Sequence, residues 1–229
     1  MSTLTLQLDD LGAGILGRVL RDHGHRLTTV RLDRGEAAPD DLLDVQAVVI
    51  CGRHEGDLPT GLDSLLAEAQ AADLPLIGLG DGAAVIARAL GGEQGSALAP
   101  GWHPMKLTPV GREDAVLAGV AWTSEQVVAG GSGVKALPKA GKALANFADG
   151  SIAAFVIGLR TYGFVARPEL GLGEIAKAMQ AAGGAASDPA TATHLPTAER
   201  LARRIFTAIA LLVAPVDRVN AGLAKDLHY

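Results

Sequence analysis

Short apolar runs alternate with stretches of helical period along the first ninety residues. Residues 3–8 alternate in polarity and predict a first strand. Asp9–Gly14 is a polar, glycine-containing turn. Over Leu16–His23 the apolar positions Leu16, Val19 and Leu20 fall at helical spacing, and Gly24 is a natural stop. His25–Leu32 alternates again, a second strand, and Asp33–Asp41 is a charged loop with Pro39. Ala47–Ile50 is continuously apolar, as in a strand buried on both faces of a parallel sheet. It runs into Cys51-Gly52 and a polar loop to Thr60. Leu62–Ala72 is helical in period, Leu74–Leu79 reads as the next buried strand, and Ala83–Leu90 as a helix closed by Gly91-Gly92. Strands alternating with helices in this way argue for a doubly wound, mostly parallel sheet.

The second half is less regular. Short strands are expected at Met105–Pro109, Val116–Val128, Ala143–Phe147, Ile152–Ile157 and Tyr162–Ala166, a run that reads as an antiparallel edge to the parallel sheet. Leu172–Ala181 is a helix stopped at Gly183-Gly184, and Ala185–His194 a small-residue, polar linker. Thr197 is placed to cap a last helix, Ala198–Val213. That helix carries Leu201, Ile205, Ile209 and Leu212 on one stripe and Glu199, Arg200, Arg203 and Arg204 outside it. The expectation is a three-layer α/β sandwich, flavodoxin-like, over residues 1–182. Residues 183–229 then form a linker and a C-terminal helical extension, packed on the same domain or on a partner.

Composition narrows the function. Of 229 residues 48% are apolar but only 3% aromatic, so Ala, Leu, Val and Gly must fill the core. The net charge of −5, with no basic stripe, argues against nucleic acid. A lone cysteine, Cys51, permits no intramolecular disulfide and fits a reducing compartment. The N-terminus lacks a basic segment and a long apolar stretch, and the apolar run Ala208–Val213 is too short to span a bilayer. A cytoplasmic protein without membrane contact is expected. His54, His103 and His194 show no metal-ligand spacing, and His23 and His25 flank Gly24 at a helix end. Neither a metal nor another cofactor is expected.

Residues 75–92, PLIGLGDGAAVIARALGG, form a strand, a sharp glycine turn and a helix. This is the frame that presents a nucleophile at a strand-to-helix elbow. Its tightest point, within Gly78-Leu79-Gly80-Asp81-Gly82, is Gly80, which has no side chain. Several collinear blocks make the chain resemble the class I glutamine amidotransferases, in the stand-alone form similar to the glutaminase half of GMP synthase. The resemblance runs over about 1–180. Its blocks are His23-Gly24-His25 with Val30–Asp33 and Gly35-Glu36, then Asp44–Gly52, then the elbow with its Ala-Leu-Gly-Gly ending. They continue through Gly101-Trp102, Leu107-Thr108, Leu137-Pro138, Ala143–Ala145 and Ala154-Phe155 to Tyr162–Glu169.

The resemblance implies a Cys at the elbow, a His that takes its proton, and a Glu two residues later that orients the His. Here Gly80 stands at the Cys position and Arg167 at the His position, and Glu169 alone remains. Ala83-Ala84 replaces the family's His-Gln pair, Val165 a Gln, and Ala129–Gly133 a His-Gly-Asp segment. Glycine offers no nucleophile, and arginine stays protonated and cannot act as a base. The resemblance also places Cys51-Gly52 at the oxyanion turn of the remnant pocket.

Cys51 is a candidate for relocated nucleophilic chemistry, although a small buried residue at a strand end is the plainer reading. Asp81 is a second candidate, although a carboxylate starting a helix favours the dipole there. Arg167 and Glu169 read as a structural ion pair, or as an anion site. Ser132 among Gly130, Gly131 and Gly133 reads as a turn rather than a phosphate cradle, since no P-loop Lys-Ser/Thr follows. The sequence thus points to a catalytically inactive amidotransferase-like pseudoenzyme that binds a small ligand or a partner. That partner would be a synthetase or intact amidotransferase subunit, or a second copy in a homodimer. The alternative is a hydrolase or transferase using Cys51 or Asp81.

Overall fold

The computed structural model describes residues 2–54, 56–185 and 188–216. In chain order its first elements are β1 (Ser2–Gln7), α1 (Gly14–Asp22), β2 (Leu27–Arg31), β3 (Val45–Gly52), α2 (Leu62–Ala71), β4 (Leu76–Gly80) and α3 (Asp81–Ala89). There follow β5 (Glu93–Ala97), β6 (Gly101–Leu107), α4 (Pro109–Glu113), β7 (Thr123–Val128), β8 (Ser132–Ala136) and β9 (Gly141–Phe147). The last are β10 (Ile152–Ile157), β11 (Thr161–Phe164), α5 (Leu172–Ala181) and α6 (Pro189–Ala208).

The sheet runs β2-β1-β3-β4-β11-β10-β9-β6-β7. Strands β2, β1, β3, β4 and β11 are mutually parallel, and the rest of the path is antiparallel. Strand order reverses between β1 and β3, the crevice where doubly wound sheets hold ligands beyond the carboxyl ends of the strands.

Strand β3 shows why its run is apolar throughout. Val48 and Ile50 pack with Leu62, Leu65 and Leu66 of α2 on one face. Val49 and Cys51 pack with Leu16 of α1 and Phe206 of α6 on the other. A residue buried this completely contributes about 1.5–3 kcal/mol when aliphatic, so both faces are needed to hold the strand in register.

The irregular half departs from its pattern in three places. Strands β5 and β8 pair as a ribbon largely exposed at β5, so Glu93–Ala97 carries no alternation that would reveal it. The expected strand Met105–Pro109 starts earlier, as β6 from Gly101, and stops at Leu107, while Val116–Val128 shrinks to β7. Pro109 opens α4 at a position needing no N–H donor, and the Thr108 hydroxyl accepts from the Gly111 amide at 3.0 Å. Asp114 then turns the chain by accepting from the amides of Val116 and Leu117.

The C-terminal helix begins at Pro189, not Ala198. Asp188 caps it through the Ala190 amide at 2.9 Å, so Thr197 is not the cap and His194 is helical rather than linker. Ile205, Ile209 and Val213 are buried, Leu201 is half-buried, and Leu212 is exposed. The helix widens to a π-turn over Ile209–Val213, and the extra residue per turn rotates Leu212 to solvent and Val213 inward. Arg200, Arg203 and Arg204 are exposed as expected.

Candidate functional site

The loops that follow the parallel strands converge on the elbow. Gly80 ends β4 and starts α3 with φ +63° and ψ −130°. This conformation suits glycine and would strain any other residue. A Cβ built on Gly80 would sit 2.5 Å from Cδ of Arg167 and 3.0 Å from the Gly52 carbonyl oxygen. The volume into which a nucleophile would project is therefore filled by the arginine side chain.

Arg167 follows β11 and is 2% exposed. Its Nε donates to Glu169 Oε1, and its Nη1 donates to Asp9 Oδ2 at 2.8 Å. Its own amide is fixed by the Val127 carbonyl at 2.8 Å. Burial works to lower the Arg167 pKa, but the Glu169 and Asp9 charges outweigh it and leave the guanidinium more firmly protonated than usual. Glu169 is fully buried, which pushes its carboxyl above the ordinary range despite the opposing arginine. The expected Arg167–Glu169 pair is present, and Asp9 extends it to three groups. The sequence pattern marks Asp9 only as part of a polar turn. Its signal was a carboxylate placed directly after the first strand of a doubly wound sheet.

The two amides after the β3 turn are both engaged by carboxylates. Arg53 N donates to Asp9 Oδ2 at 2.9 Å, and His54 N donates to Asp81 Oδ2 at 2.7 Å. Asp81 opens α3 as expected, but it also reaches across to accept from the Ser132 amide at 2.5 Å. Gly131 makes this approach feasible, since a Cβ there would lie 2.5 Å from Asp81 Oδ1. The glycine-rich turn is thus a cradle already holding a carboxylate of the same chain. Burial raises the Asp81 pKa, and the His54 and Ser132 amides oppose the shift.

Cys51 lies at the strand end expected for it, but its thiol is fully buried in the core with Val49 and Leu79. Burial, then the nearby Glu169 charge, push the thiol well above its usual pKa. It is a small core residue, as the plainer reading had it. The remaining histidines serve local structure. His23 Nδ1 contacts the Val19 carbonyl oxygen at 2.9 Å, His103 Nε2 the Ala99 carbonyl oxygen at 2.9 Å, and His194 lies tilted against Trp102.

Beside the elbow, a cavity of about 450 Å³ opens over the β1–β3 crevice, with Asp9, Asp10, Asp33, Arg53, Arg167 and Lys177 among its lining. A smaller polar recess of about 310 Å³ lies where His54, Asp81, Arg88 and Ser132 meet.

Known structures superpose on this chain over nearly its whole length. The fold is that of a class I glutamine amidotransferase. A glutamine amidotransferase from Methylobacillus flagellatus superposes with a TM-score of 0.76 at 20% identity, over 92% of this chain and 94% of that one. A glutamine amidotransferase from Thermotoga maritima gives 0.72 at 16%, over 94% and 99%. A putative GMP synthase subunit from Thermoplasma acidophilum gives 0.54 at 16%, over 92% and 96%. No family model and no curated protein matches the sequence. Gly80 lies at the turn from β4 into α3, and Arg167 and Glu169 lie in the segment after β11. Among the described residues no helix is long and apolar enough to cross a membrane.

Proposed function

We propose that this chain is a glutamine amidotransferase-like pseudoenzyme that acts by binding. The observation that carries the reading is the Arg167 side chain lying over Gly80, where a nucleophile would project. An elbow glycine supplies no attacking atom. A guanidinium held protonated by two carboxylates cannot take a proton from one. The Arg53 and His54 amides, which follow the oxyanion turn, are engaged by Asp9 and Asp81 rather than open to a substrate. Relocated chemistry finds little support: Cys51 is sealed in the core, and Asp81 is held by two amides.

Binding has two forms under this reading, a small ligand in the crevice or a partner subunit. The likeness to a protein described as a GMP synthase subunit favours including the second. A second copy of this chain would serve as such a partner, and sedimentation of the full-length protein reads that arm.

The deciding experiment measures ammonia release from glutamine over hours at high protein concentration, with Cys51→Ala as control. No turnover above that control is expected. Gly80→Cys alone should also stay inactive, because Arg167 leaves the new thiol without a base. Turnover in the unaltered chain would sink the pseudoenzyme reading, and turnover in the Gly80→Cys variant would refute the role given to Arg167.

A further inference from the structure

We propose that the groove between the 115–118 turn and the end of α6 docks a partner protein through an apolar ridge flanked by carboxylates. The proposal rests on the partner form of binding given above, and adds where the partner sits and what chemistry it presents. The groove holds about 460 Å³. Ala115 and Ala118 form one wall, and Leu211 and Leu212 lie on the other with Arg203 and Arg204.

The apolar part of the groove is uncovered. Leu211 and Leu212 are each 57% exposed, although Ile209, Ala210 and Val213 around them are buried. The helix reaches this arrangement by widening to the π-turn over Ile209–Val213. Widened turns of this kind are frequent at functional sites. Two adjacent leucines in a groove leave apolar surface in water, which a partner's own apolar side chains would remove.

The charge around the leucines selects the partner. The lining carries Arg203 and Arg204 and no acidic residue. Arg204 donates from Nε to the Ala118 carbonyl, and Arg200, one turn earlier, donates from Nη2 to the Thr197 hydroxyl at 3.1 Å. Among the described residues no carboxylate pairs with any of the three arginines. The acids near them in sequence are engaged elsewhere or matched. Asp114 accepts from the Val116 and Leu117 amides and from the Tyr162 hydroxyl. Glu199 is turned toward Gly171, with Oε1 3.8 Å from where a Cβ of that glycine would lie. Glu113 is exposed at the end of α4, next to Arg112. Beyond Val216, Asp217 and Asp226 offset Arg218 and Lys225. A second copy docked on the same face about a two-fold axis would set these arginines against their own kind. A different protein with carboxylates beside its apolar ridge meets them favourably.

The probe is a synthetic helical peptide with leucines one turn apart and glutamates flanking them. It would be titrated into the full-length, ¹⁵N-labelled protein and followed at the amides of Ala118, Arg203, Thr207 and Leu211. One comparator carries lysine for each glutamate, and another carries serine for each leucine. The chain as a whole has a net charge of −5, so long-range attraction favours the lysine peptide and only the local face favours the glutamate one. Saturable shifts in the micromolar range are expected with the glutamate peptide, and each comparator should bind about tenfold more weakly. Arg203→Glu should weaken the glutamate peptide about tenfold and tighten the lysine peptide. Leu211→Ser should weaken both about threefold to tenfold. A lysine peptide bound as tightly as the glutamate one by the unaltered chain would overturn the charge assignment. Vesicles of phosphatidylcholine and phosphatidylserine that perturb these amides where the glutamate peptide does not would give the face to a membrane and overturn the protein partner. A dimer in sedimentation that Leu211→Ser dissolves would give the groove to a second copy and overturn it equally. No saturable shift at these amides would overturn the site. Those failures leave the ammonia assay untouched, while turnover in that assay refutes the pseudoenzyme whatever the peptide does.

Discussion

Replacing Gly80 by alanine puts the packing over the elbow under direct test. The backbone there, φ +63° and ψ −130°, costs a non-glycine residue about 1–3 kcal/mol. The new methyl would also begin 2.5 Å from Arg167 Cδ and 3.0 Å from the Gly52 carbonyl oxygen. The Gly52 carbonyl belongs to a buried strand and cannot yield, so the arginine must. Its guanidinium is anchored on Glu169 and Asp9, and breaking a buried pair outright costs about 3–5 kcal/mol. A shift that loosens the pair without breaking it costs a fraction of that, so a total loss of about 2–5 kcal/mol is expected. With a urea slope of about 2–3 kcal/mol/M, the midpoint should fall by about 1 M or more. Arg167→Met separates the two contributions, because Gly80→Ala in that background should cost only the backbone strain. Urea unfolding of all four proteins, followed by circular dichroism, gives the coupling. An unchanged or raised midpoint for Gly80→Ala, or an equal loss in both backgrounds, would refute the reasoning.

Three further outcomes follow from burial. Cys51 should resist a thiol reagent in the native protein and react fully only in denaturant; rapid native labelling would reopen it as a nucleophile. His25 is buried against Thr3 and Gln46, and burial, with the His23 charge, lowers its pKa while the Ala214 backbone opposes. The unfolded chain then binds the proton more readily, so stability present above about pH 6.5 is lost as the pH falls below it. His25→Gln should flatten that slope, and parallel pH profiles for the two proteins would contradict the assignment. On the last helix, Ile209→Ala should cost about 2–5 kcal/mol, whereas Leu212→Ala should stay within about 0.5 kcal/mol. Equal losses by thermal melting would mean that the π-turn is misplaced.

The sequence by itself determined the parallel strands β1 to β4 and the strand-to-helix elbow at Gly80; it placed Tyr162–Ala166 in the antiparallel edge, and only the pairing with β4 makes β11 parallel. Buried parallel strands must be apolar on both faces, so 47–50 and 74–79 announce themselves without tertiary information. Gly80, Arg167 and Glu169 were readable because the turns that hold them carry dense local signatures. Strand β5 was not, since its exposed residues need no apolar face, and β8 buries only Gly133 and Val134, too short an apolar signal to mark a strand. The start of α6 at Pro189 escaped as well, because small polar residues also suit a linker and only the cap on Asp188 separates the two. What tertiary structure alone decided is how the groups meet. Asp9 and Arg167 are 158 positions apart, and Asp81 and Ser132 are 51 apart. Their pairing depends on loops brought together by strand order, and the side chain that fills the elbow is set by a contact that no local pattern encodes.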